Sequence, residues 1–304
     1  MTTPLTRRNA LACLAWSGAG TVFALSGGVP VAFALDDRAA AKHAGLKPLF
    51  VQISDSHIGF AKDANPDVSG TLARVVTNIN AMPQQPAFIL HTGDVTHLSK
   101  PEQFDQAAQL LKGLRSSELH VVPGEHDVID NGPAFMERYG ALSGGKGYYS
   151  FDSEGVHFVA LINVLNFKQN GLGTLGREQL EWLEDDLKGR KSSQPIVVFA
   201  HMPLWSIYDP WGWGTSDADQ AMAYLKRFGS VTVLNGHIHQ IVQKVEGHIT
   251  FHTARSTAYP QPVAGTAEAP GPLKVPADQL AQNLGLTSVS VRHHGLALTD
   301  TTLS

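Results

Sequence analysis

Cysteine is nearly absent from this chain of 304 residues, which has only Cys13. A disulfide framework within the chain is thereby excluded, as is a metal site built from several thiolates. Charge is sparse too, at 16% of residues, with a formal net charge of -4 and no run of basic residues. Duplex nucleic acid is therefore not an expected partner, since its binders carry a basic face. Internal repeats are lacking as well. An apolar content of 43% and a mean hydropathy of -0.08 are those of a globular protein. They exclude a collagen, a coiled-coil rod or bulk disorder. Histidine, by contrast, is plentiful at 14 residues.

Cys13 lies in an uncharged stretch, residues 11–34, between Arg7-Arg8 and Asp36-Asp37. A basic pair, an apolar stretch and a small-residue exit at Ala32-Phe33-Ala34 predict an export signal over residues 1–34, cleaved after Ala34. The stretch is long enough to span a membrane, but its Gly, Ser and Pro make it a poor anchor. Lipid attachment at Cys13 is a weaker reading, because almost no apolar run precedes it. Thr6-Arg7-Arg8-Asn9-Ala10-Leu11 resembles a twin-arginine signal, which implies the twin-arginine translocase as a partner and a periplasmic destination. Loss of Arg7 and Arg8 leaves 21 basic against 27 acidic residues, a net charge of -6. It also leaves no cysteine, which suits an oxidising compartment.

Short apolar runs bounded by turn residues predict buried strands at residues 49–54, 87–91, 119–122, 156–163, 196–200 and 231–234. Amphipathic stretches at 71–82, 102–115, 177–187 and 217–228 predict helices between them. In the third of these, Leu180, Leu183 and Leu187 share one face while Glu181, Glu184 and Asp185 face water. Such alternation predicts a layered α/β fold, with a single domain over residues 35–304. Residues 260–276 are rich in Pro, Ala and Gly and predict an irregular segment, running on to 283, laid over the body. Residues 287–291 and 296–302 predict a closing hairpin through His294-Gly295.

Polar residues follow the apolar strands one after another. They are Asp55-x-His57, Gly93-Asp94, Gly124-Glu125-His126-Asp127, His201, and Gly236-His237-Ile238-His239. Ligands of α/β sheets gather beyond the carboxyl ends of the strands, so these loops are expected to converge. Carboxylates and imidazoles without thiolate suit Mn, Fe or Zn, and they outnumber the needs of one ion. Two metals sharing a carboxylate is the economical reading, and that arrangement activates water against phosphate esters.

Taken in order, the five pieces resemble the calcineurin-like metallophosphoesterase superfamily, whose pattern is D-x-H, G-D, G-N-H-[DE], H, G-H-x-H. The match runs over roughly residues 48–259. The resemblance implies an α/β fold, a four-layer sandwich of two mixed β-sheets flanked by helices. It also implies a small phosphate mono- or diester as substrate, hydrolysed by metal-activated hydroxide. Asp55, His57 and His239 would bind one metal, His201 and His237 the other, and Asp94 both. His126 would orient the phosphate and protonate the leaving oxygen. The pair would be Mn, Fe or Zn, a mixed-valence iron-containing pair included.

Glu125 departs from the pattern, which has an asparagine ligand there. Glutamate adds a full charge and a methylene, so Glu125 is expected to bind the second ion and to favour a trivalent or strongly Lewis-acidic one. The alternative is a Glu125 swung outward, with water in its place. The spacing is nearest to the class III cyclic-nucleotide phosphodiesterases, whose tail Ser256-Thr257 resembles. An exported location points instead to scavenging of phosphate esters or nucleotides. A non-catalytic metal-dependent binding protein is the reading from another class; His126 counts against it, because a binder need not keep the acid.

Other residues carry two readings each. His97 either contacts phosphate, as in the nuclease branch of the superfamily, or caps the helix that follows it. Trp205, Tyr208, Trp211 and Trp213 either stack on a substrate ring or pack on one another. His252 and Arg255 either support the site or lie at the surface. Asp127 either holds the His126 loop or caps a helix. His43, His120, His157, His248, His293 and His294 match no motif and are read as structural or solvated.

Overall fold

The computed structural model describes residues 21–26, 29–34, 48–116, 118–165, 171–292 and 295–304. Three apolar runs form the parallel heart of one sheet: β3 (Phe50–Ile53), β4 (Phe88–His91) and β5 (Leu119–Val121). Every residue of β3 and β4 is buried, which is why these strands read as unbroken apolar runs without alternation. The C-terminal hairpin, β12 (Gly285–Arg292) and β13 (Gly295–Thr302), pairs antiparallel with β3 through β12. Beyond β13 lie β1 (Thr21–Ser26) and β2 (Val29–Ala34), an antiparallel pair that completes the order β2-β1-β13-β12-β3-β4-β5. These two strands fall in the stretch whose composition reads as an export signal. Arg7, Arg8, Cys13 and His43 lie outside the described residues.

A second sheet has the order β10-β11-β9-β8-β7-β6. Its parallel strands are β7 (Val156–Ala160), β8 (Ile196–Phe199), β9 (Val231–Asn235) and β11 (Ile249–Thr253). Antiparallel β6 (Tyr149–Ser153) and β10 (Gln243–Glu246) close its two edges.

Strand periodicity sets the layers, because alternate side chains point to opposite faces. Phe50, Phe88, Leu90 and Val289 of the first sheet meet Phe158, Val197, Phe199 and Leu234 of the second. Val51, Ile53 and Ile89 face the other way, against α1 (Val68–Asn80), α2 (Pro101–Leu111) and α3 (Pro133–Tyr139). Val198, Val231 and Val233 face α4 (Arg177–Leu187) and α5 (Ala218–Leu225). The result is the four-layer sandwich of two mixed sheets flanked by helices. Helix α1 starts earlier than its apolar pattern, because the Asp67 side chain accepts the Gly70 N–H at 2.8 Å and caps it. Helix α2 opens on Pro101, whose missing N–H costs nothing there.

Residues 260–276 hold no helix or strand, but α6 (Leu280–Asn283) gives the end of the segment expected to be irregular a single helical turn. Leu280 and Ala281 pack against the core of the first sheet. No helix among the described residues is long and apolar enough to cross a membrane.

Phe158 is wholly buried where the sheets meet, with its ring 5.5 Å from Phe50, 5.2 Å from Phe88 and 4.8 Å from Phe151. Phe158→Ala is expected to cost about 3–5 kcal/mol, read from the midpoint of urea unfolding. A loss under about 1 kcal/mol would mean that the sheets do not meet there.

Candidate metal centre

The parallel strands of both sheets end at one place, and each loop leaving them delivers polar side chains. Asp55 and His57 follow β3, Asp94 follows β4, and Glu125 and His126 follow β5. From the second sheet, His201 follows β8, and His237 and His239 follow β9. Their backbones are bent to reach. Asp55 (φ 53°), His57 (42°), Asp94 (53°), His237 (68°) and His239 (54°) all lie in the left-handed region. Non-glycine residues there carry strain that persists only where the surroundings impose it, commonly at functional sites. Two glycines allow the loops to close. A Cβ on Gly93 (φ 95°) would strike the His201 ring, and one on Gly124 would strike the Asp94 carboxylate.

The side chains meet in two sets. Asp55, His57 and His239 form one, with His239 Nε2 3.3 Å from Asp55 Oδ1 and 3.2 Å from His57 Nε2. Glu125, His201 and His237 form the other. Glu125 Oε2 is 2.9 Å from His201 Nε2, and Oε1 is 3.0 Å from His237 Nδ1. Glu125 thus points inward. Asp94 stands between the sets, its Oδ2 3.5 Å from His57 Nε2 and 3.4 Å from His201 Nε2.

Backbone groups fix these orientations. His201 Nδ1–H donates to the Thr92 carbonyl (2.7 Å) and His239 Nδ1–H to the Tyr259 carbonyl (2.6 Å), which turns each Nε2 inward as a lone-pair donor. The His237 N–H donates to Asp55 Oδ1 (3.1 Å), and the His126 N–H donates to Asp94 Oδ1 (3.0 Å). Buried atoms of the cluster nevertheless lack hydrogen-bond partners: Asp55 Oδ2, Glu125 Oε2, His201 Nε2 and both His237 ring nitrogens. Glu125 Oε2 and His201 Nε2 are close, but not aligned for a hydrogen bond. Buried polar atoms are rarely left so, and a cation held within each set would supply partners for several of them. The clustered residues are able to bind metals.

Electrostatics reflect the crowding. Burial opposes charge on His201, but the carboxylates of Asp94 and Glu125 outweigh it and hold its pKa well above the ordinary value. Burial, with His126 and His239 beside it, holds His57 well below that value. For Asp55 the imidazoles of His239 and His201 overcome burial and lower the pKa. Burial also works against charge on His126, yet Asp94 and Glu125 raise it.

His126 lies beside both sets, its ring 4.8 Å from His57, and its Nδ1–H donates to the His97 carbonyl at 2.8 Å. His97 stacks on it at 4.7 Å and also lines the cleft. It does not cap α2, whose N-cap is Lys100 without a side-chain cap; His97 Nδ1 instead faces His57 Nδ1 at 3.4 Å. Burial and the His126 ring push its pKa down to about 4. Asp127 ties the His126 loop to the Asp94 loop. It accepts from the N–H groups of Val95 (3.0 Å), Thr96 (2.8 Å) and Gly124 (3.1 Å), and from the Thr96 hydroxyl.

Trp211 and Trp213 are buried, stand 5.1 Å apart and line the cleft, whereas Trp205 packs away from it on Phe251. His252 and Arg255 are not at the site. His252 joins the two sheets through Asp300 (3.1 Å), and the Arg255 guanidinium points towards the Gln282 carbonyl. His120 stacks on Phe151, His157 sits between Asp152 and Asp186, and His248 is an exposed turn residue. His293 and His294 lie outside the described residues.

Two supporting residues belong to no motif. Tyr259 stacks on the His57 ring at 4.8 Å besides holding His239 through its carbonyl. Asn235 donates to the carbonyls of Ala200 and Met202, both at 2.9 Å, and so fixes the turn around His201. Its signal is an amide ending an apolar strand directly before Gly236.

A cleft of about 700 Å³ opens over the cluster. Residues 48–241 match the family model of the calcineurin-like phosphoesterases. The chain is 26% identical over 233 residues to a glycerophosphodiester phosphodiesterase of Enterobacter lignolyticus, covering 70% of this chain and 79% of that one. It is 25% identical over 218 residues to a probable cyclic nucleotide phosphodiesterase of Rhodopseudomonas palustris, covering 69% and 78%. In fold it is similar to a dimetal phosphatase of Danio rerio, with a TM-score of 0.59 and 13% identity over 85% of this chain and 99% of that one. A purple acid phosphatase of yellow lupin gives a TM-score of 0.61 and 13% identity, over 84% and 51%. With a family match across most of its length, this chain belongs to the calcineurin-like phosphoesterase family and is a phosphoric ester hydrolase.

Proposed function

We propose that the protein is an exported dinuclear metallophosphoesterase acting on small phosphate mono- or diesters. The observation that carries this reading is the pair of buried ligand sets with unpartnered atoms, joined by Asp94. Asp55, His57 and His239 would hold one ion, Glu125, His201 and His237 the other, and Asp94 would serve both. Such ions, when bound, neutralise phosphate charge and lower the pKa of a water into the neutral range. His126 supplies the proton. With Nδ1–H committed to the His97 carbonyl, its Nε2 is left for the cleft, where it holds a proton for the leaving oxygen. Ester and water give alcohol and phosphate, and the Nε2 proton passes to the alcohol oxygen. The relatives named for glycerophosphodiesters and cyclic nucleotides make diesters the first substrates to try. Protein loaded with Mn²⁺ is expected to hydrolyse 4-nitrophenyl phosphate, bis(4-nitrophenyl) phosphate or both. No turnover of either with two ions bound would support a metal-dependent binding protein instead.

The inward Glu125 supports its place as a ligand. A carboxylate in place of an amide leaves the centre one unit less positive, which favours a trivalent or strongly Lewis-acidic ion there. Glu125→Asn is expected to keep the fold and both ions while shifting metal preference and pH optimum. If Glu125→Ala holds the second ion as tightly as the parent, by calorimetric titration, Glu125 is not a ligand.

Export rests on the residues of the N-terminal stretch. Cleavage after Ala34 would remove β1 and β2 and leave β13 as the edge of its sheet. Replacing Arg7 and Arg8 with Lys is expected to keep the enzyme out of the periplasm, read by cell fractionation. Undiminished periplasmic enzyme would point to the general secretory route.

A further inference from the structure

The cleft has a polar floor, and besides the side of Trp211, Trp213, Pro270 and Pro272 it has an aliphatic wall that adjoins His126. Val128 and Ile129 come two and three residues after His126, and Val164 and Leu165 line the same cleft. Val128 packs on buried Val164 and Met202, so the wall is continuous with the interior. Its outer members are open: Ile129 is 60% exposed and Leu165 38%. Large aliphatic side chains left in water on the lip of a pocket gain free energy when a ligand covers them.

We infer that Val128, Ile129, Val164 and Leu165 form the leaving-group subsite, and that the substrate is a phosphate ester of an apolar alcohol. The inference rests on the reading that His126 protonates the leaving oxygen. That oxygen then lies at His126, and the group it carries lies against the adjoining wall. Charge agrees with this. Among the described residues lining the cleft, Lys62 is the only ammonium or guanidinium. A leaving group bearing further phosphates would need several such partners. A glycerol or sugar alcohol, for its part, would lay hydroxyls on side chains that cannot hydrogen-bond them.

The test uses the full-length, metal-loaded protein with n-alkyl phosphates and methyl n-alkyl phosphates from ethyl to hexyl. The corresponding glycerol esters serve as polar counterparts, and the longer alcohol released is measured. kcat/KM is expected to rise by up to about fourfold per added methylene, with the glycerol esters below the butyl esters. n-Alkylphosphonates, whose P–C bond is not cleaved, are expected to bind with the same chain-length dependence by calorimetry. Ile129→Asn and Leu165→Asn change side chains open to water, so the variants are expected to fold and to flatten both trends. Turnover that is flat in chain length, or faster for the glycerol esters, would overturn the subsite and leave the phosphoesterase reading standing. No turnover of any ester by protein carrying two ions would overturn that reading, and the subsite with it.

Discussion

Asp94→Asn is expected to abolish hydrolysis and to strip metal from the protein. Asp94 Oδ2 lies within 3.5 Å of one imidazole from each ligand set, and its Oδ1 accepts the His126 N–H. The substitution removes a charge that both ions would share. An asparagine there keeps an oxygen that can accept the His126 N–H, so the loss falls on the shared charge. Partners that merely orient ligands are worth about 10–100-fold in metal affinity; a shared ligand should exceed that, and turnover should fall with occupancy. Elemental analysis after dialysis, with turnover of bis(4-nitrophenyl) phosphate, checks both effects. Two retained ions and near-parental turnover would remove Asp94 from the centre.

His126→Ala is expected to act differently, keeping both ions and lowering turnover by about 10²–10⁴-fold. Its ring is no member of either ligand set, so metal content should hold. The loss should depend on the leaving group. A nitrophenolate departs without a proton, whereas an alkoxide needs one, so alkyl esters should suffer most. Equal losses for both would mean that His126 positions phosphate and is not the acid.

Much of the fold was legible because its central strands are buried on both faces and so read as apolar runs. β10 was not, since two of its four residues are exposed on a sheet edge. Nor was α3, seven residues long, which starts at Pro133 after a left-handed Gly132 with no long amphipathic pattern to announce it. The candidate ligands were legible for a related reason: each stands directly after a buried strand, where the chain leaves the sheet. Tyr259 lies twenty residues beyond His239, and only the return of the chain over the site brings its ring onto His57. His97 could not be assigned from sequence, because only the fold brings its ring onto His126 and turns its Nδ1 towards His57. The apolar wall beside His126 joins two loops from different sheets, a juxtaposition that no local pattern encodes.

The central claim is that two ions are held, one by each ligand set, with Asp94 between them. Anomalous diffraction from crystals grown with Mn²⁺, collected above and below the manganese edge, tests it most directly. Two manganese peaks are expected, one among Asp55, His57 and His239 and one among Glu125, His201 and His237, on either side of the Asp94 carboxylate. A single peak, or a peak ligated by His97 and His126 in place of these residues, would contradict it.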